Sequence, residues 1–128
     1  MSKNLDQMIE TLNKETEIYH EVLKLSLEKR DAIKAQDIQK LEKVTGHEQA
    51  LIVTLFKLEE MREKVTDALM QEMGVDHIDT LEELTKFMVP AERERVQKAK
   101  QELYVVVKNV TDENKFNNKM MEDKLEWI

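Results

Sequence analysis

The sequence predicts an all-α protein, an elongated antiparallel bundle of three long helices and one short helix packed in coiled-coil fashion. Three observations predict it. The 128 residues contain two Gly and one Pro, too little punctuation for a β-rich fold and well suited to long helices. Apolar residues recur at three- and four-residue steps, near a heptad repeat that favours left-handed supercoiling. The breaks in that pattern are few and short, so successive helices fold back on one another. The length fits one domain: a hairpin over residues 1–73, a link with the short helix over 74–90, and a C-terminal binding helix over 91–128.

In the first helix, Lys3–Ala35, the seam is Leu5, Met8, Ile9, Leu12, Tyr19, Leu23 and Leu27. Ile18, Val22, Leu25 and Ile33 widen the stripe in its second half, which is expected to meet two neighbours. Thr16 and Ser26 interrupt the seam with small polar groups, a sign of close helix approach. The pattern breaks at Gln36-Asp37, where the Asp37 carboxylate suits an N-cap. The second helix, Ile38–Met73, carries Leu41, Val44, Leu51, Ile52, Leu55, Leu58, Val65, Leu69 and Met73 inward. It stops at Gly74, placed for a left-handed C′ residue. Gly46 lies inside it, at a cost of about 1 kcal/mol relative to Ala. Asp79, with Glu82 three residues on, resembles a capping box and starts a short helix over 80–87 with Leu81, Leu84 and Phe87 inward. Val89-Pro90 ends it, and Pro90 opens the last helix, over 91–126, where its missing N–H would be unpaired anyway.

That last helix carries two apolar stripes. At about 100° per residue, Val96, Ala99, Leu103, Val107, Val110, Met121, Leu125 and Ile128 share one face. Val105, Phe116, Met120 and Trp127 cluster on another, well over a quarter turn away. A surface helix of a small bundle needs one stripe for its core, so the second stripe is the candidate partner-binding surface. Val106, Met121, Leu125 and Ile128 extend that candidate set. Of the eight Met, Met8, Met73 and Met121 read as core filling, whereas Met120, between Phe116 and Trp127, reads as part of an adaptable binding surface.

Other chemistries find little support. A net charge of −7, with Lys and Arg interleaved with Glu as in Glu92-Arg93-Glu94-Arg95, disfavours nucleic acid. No Cys is present, which excludes disulfides and thiol chemistry. Glu17 and His20 have the Glu-x-x-His spacing of di-iron bundles, but such sites need two copies, and Val44 and Gly74 stand three residues before His47 and His77. His47 follows Gly46 without the Lys-Gly that should follow a phosphotransfer His. No metal, cofactor or catalytic centre is expected. Met1-Ser2-Lys3-Asn4 leads straight into the amphipathic pattern, and there is no run of about 18 apolar residues, so a cytoplasmic location is expected.

The hairpin resembles the FlgN-type flagellar export chaperones. The resemblance is carried by Glu15, Tyr19, Val22-Leu23, Lys29-Arg30, Ala32-Ile33, Asp37, Leu41, Thr45, Glu48, Leu51, Leu55, Leu58-Glu59 and Arg62. In the last helix, Asn114 and Asn118 followed by Met120-Met121 are similar to the family's Asn-rich step before its final apolar segment. The resemblance implies a bacterial cytoplasmic chaperone for hook-associated proteins, which form the hook–filament junction. It also implies delivery to the flagellar export apparatus, peripheral to the membrane at most, with capture through the C-terminal helical region. The alternative reading of the second stripe is a self-association seam, making the protein a homodimeric coiled-coil scaffold.

Overall fold

The computed structural model describes residues 2–76, 78 and 80–125, the side chains of 124 and 125 excepted. It contains α1 (Lys3–Ala35), α2 (Ile38–Met73), α3 (Leu81–Thr85) and α4 (Pro90–Leu125), with no strand among the described residues. The three long helices pack against each other, and α1 is central, with α2 on one side and α4 on the other. The hairpin is antiparallel, since Glu15 pairs with Arg62 and Lys29 with Glu48. The third long helix then runs parallel to α1, with Asp6 against Arg95 and Arg30 against Glu113, as an up-down-up order requires.

The ends are made by the residues that suit them. Ser2 caps α1 by accepting from Leu5 N at 3.0 Å. The α1–α2 turn is two residues long: Gln36 adopts the left-handed conformation and Asp37 accepts from Lys40 N. Gly74, at φ +68°, ends α2, and Val75 N donates to Met70 O while its side chain packs on the core. The short α3 is capped by Thr80, whose Oγ1 accepts from Glu83 N at 3.2 Å. The proposed cap Asp79 lies outside the described residues. Arg93 of α4 donates to the Thr85 and Met88 carbonyls, satisfying acceptors at the end of this turn.

One core cluster joins Leu5, Met8 and Leu12 to Val65 and Leu69, to Leu84 and Met88, and to Val96, Ala99, Leu103 and Val106. A smaller one joins Val22, Leu55 and Val110. Four expectations are corrected. The short helix covers five residues instead of eight, and Phe87 is exposed while Met88 fills the core, because after Thr85 the chain tightens into i→i−3 turns, with Phe87 N donating to Leu84 O and Met88 N to Thr85 O. Leu27 and Ile52, assigned to the seams, are also exposed. Finally, α4 turns Val106 into the core, with Val107 half-buried beside it.

Candidate functional site

Three polar cross-links set the register of the long helices. Arg62 Nη1 donates to Glu15 Oε2 at 3.1 Å, and Glu15 is 1% exposed. Its Oε1 has no hydrogen-bond partner. Burial pushes the Glu15 carboxyl above the usual range, opposed by Arg62 and reinforced by Glu59. Burial also raises Tyr19, with Glu59 and Glu15 adding to the shift and Arg62 opposing it. Further along, Lys29 pairs with Glu48 at 3.6 Å. In the third link, Arg30 grips Glu113 with two donors, Nε at 2.7 Å from Oε1 and Nη2 on Oε2. Ser26 is fully buried where α1 meets α4: its Oγ donates to Asn114 Oδ1, and its carbonyl accepts from Asn117 Nδ2 at 2.9 Å. The small residues that interrupt the α1 seam thus mark close approach, with Thr16 turned back onto the Leu12 carbonyl.

The structure separates the candidate binding residues. Val105 is 47% and Phe116 50% exposed, on the flank of α4 away from the core. The Arg30 guanidinium lies over the Phe116 ring, 4.8 Å from its centroid, so one face of the ring is held by a cation. Met120 and Met121 are half-buried. Val106 is 1% exposed inside the core, so this member of the set is not a surface residue. The side chain of Leu125, and Trp127 and Ile128, lie outside the described residues.

Two apolar features went unnoticed in the sequence. The first is an exposed stripe on α2, made of Ile38, Ile52, Val53 and Phe56, the last 60% exposed. The second is a trough of about 590 Å³ between α2 and α4, open to solvent, with Leu12 of α1 among its lining. The stripe has a signal: Ile38, Ile52 and Phe56 recur on one side of the helix at about 100° per residue. The trough has none, because it depends on how far two helices splay.

Glu17, His20 and His47 are all exposed. Among the described residues no group of three or more His, Asp or Glu is placed to hold a metal ion, and no helix is long and apolar enough to cross a membrane. What the geometry offers is apolar surface exposed on two helices of the bundle. The FlgN protein family matches residues 1–128, the whole chain, and the protein belongs to that family. Membership suggests a flagellar export chaperone. No curated protein and no solved structure matches the chain.

Proposed function

We propose that this protein is a flagellar export chaperone that binds hook-associated proteins, keeps them from folding or assembling prematurely, and delivers them to the export apparatus in the cytoplasm. The observation that carries the reading is the family match over residues 1–128. The exposed flank of α4 supports it: Val105 and the part of the Phe116 ring that Arg30 does not cover offer apolar surface to solvent. By sequence spacing at about 100° per residue, Met120 and Trp127 are expected to extend that face. An amphipathic terminal segment of the cargo lays its apolar side on this surface and orders as it binds. Ordering costs free energy, so affinity stays moderate for the area buried and the cargo is releasable.

The test is the double change Phe116→Ala with Trp127→Ala. Burying each large apolar side chain is worth about 1.5–3 kcal/mol, so affinity for a hook-associated protein should fall at least ~10-fold per side chain. Folding should change little, since at Phe116 the bundle loses mainly the Arg30 stacking, about 0.5–1 kcal/mol at an exposed site. A variant that melts far lower yet binds normally when folded would make the stripe part of the core. A wild-type dimer that the change turns into a monomer would favour the scaffold.

A further inference from the structure

We propose that the trough between α2 and α4 is a second docking site, taking one amphipathic helix whose charges are segregated, basic along one edge of its apolar face and acidic along the other. This rests on the chaperone reading and adds a site to the α4 flank described above.

The shape comes first. Both α2 and α4 pack on α1, and the space between them is walled by Met70 on one side and Val107 on the other. Leu12 and Leu103 lie beneath, and Tyr104, 63% exposed, stands at the rim. A helix laid there completes a four-helix bundle. Apolar side chains recur along α2 beyond the trough, with Glu59 and Glu63 between them and Met70 on the same side of the helix. At about 100° per residue, Ile52 has the same azimuth on α2 as Met70, and Phe56 lies within about 40° of it. From Ile52 to Met70 this side is about 27 Å long at 1.5 Å per residue, the length of a helix of about 18 residues.

Charge selects the occupant. Arg62 of the α2 wall is committed to Glu15, which leaves Glu63 and Asp67 there. Lys100 of the α4 wall is committed to Glu82. Beyond it, Lys108 and Lys115 follow Tyr104 along the same edge, within about 40° of it, and both are exposed. The two walls therefore carry opposite uncommitted charge. A docked helix with the same sign on both edges meets repulsion from one wall. A helix with segregated edges satisfies both walls, and which edge is basic fixes the direction in which it lies.

The experiment uses the full chain and two labelled synthetic helical peptides of about 18 residues and identical composition. One has Lys along one edge of its apolar face and Glu along the other; the second has both charges mixed on each edge. Fluorescence anisotropy should show the segregated peptide binding about ten-fold tighter. Lys108→Glu with Lys115→Glu should remove that preference, and adding Glu63→Lys with Asp67→Lys should restore it, because the walls are again opposite. All four positions are exposed, so circular dichroism should be unchanged. Equal binding of the two peptides, or charge reversals without effect, overturns the proposal. So does a concentration-dependent dimer that the same reversals dissociate, since a second copy then fills the trough. Hook-associated protein binding is measured in parallel. If the two peptides bind wild type equally while a hook-associated protein still binds, the trough proposal fails and the chaperone reading stands. If wild type binds the segregated peptide but no hook-associated protein, the trough stands and the chaperone reading fails.

Discussion

Glu15 shows how single residues shape this bundle. A carboxylate with one oxygen on Arg62 and the other without a hydrogen-bond partner is a costly thing to bury between two helices. It fixes which turn of α2 faces which turn of α1, because sliding by one turn would strand both charges. Its raised pKa makes a signed prediction. The folded state holds the Glu15 proton more tightly than the unfolded chain, so this group's contribution to stability is full below the unfolded value and is lost as pH rises through the folded one. The melting temperature of wild type minus that of Glu15→Gln should therefore increase as pH is lowered from neutral into the acid range. A difference that stays flat, or shrinks, would contradict the burial argument. In the sequence Glu15 was visible only through family resemblance, since periodicity does not tell a buried carboxylate from an exposed one on a helix rich in Glu.

The bounds of α1 and α2 were legible because each has a local chemical signal: Asp37 to start α2 and Gly74 to end it. The short helix is capped by Thr80, one residue after the Asp79 that the capping-box spacing favoured, and Leu84 and Met88 are the residues there that reach the core. On α4, Val96, Ala99, Leu103 and Val110 are buried as expected, but three consecutive valines, Val105 to Val107, carry no periodic information, which is why Val107 was assigned to the core face and Val106 was not. In α2, Leu51-Ile52-Val53 has the same effect and hid the exposed stripe. The two glycines make opposite predictions. Gly46 is exposed inside α2 with nothing within 4 Å of an added Cβ, so Gly46→Ala should stabilise by about 0.5–1 kcal/mol. Gly74 also has room but sits at φ +68°, so Gly74→Ala should destabilise by about 1–2 kcal/mol. Thermal melts of the two variants should move in opposite directions; equal shifts would mean that backbone conformation does not control these positions.

At the scale of the molecule, the polar cross-links and the apolar exposures divide the work. Glu15–Arg62, Lys29–Glu48 and Arg30–Glu113 hold three long helices in one register. That leaves apolar side chains on α2 and α4 outside the core without loss of a unique fold. On α4 the periodicity placed Val105 and Phe116 off the core face, and both are exposed, whereas Trp127 lies outside the described residues. The trough was not legible, since it is a property of the packed helices and not of any one of them. The central claim is that this surface exists for an exported partner. Its most direct measurement is light scattering of the purified chain mixed with a purified hook-associated protein, across a concentration series. The account predicts a complex with the summed mass of the two partners, in which the hook-associated protein no longer self-assembles. Unchanged masses for both proteins at every concentration, with self-assembly proceeding as before, would contradict it.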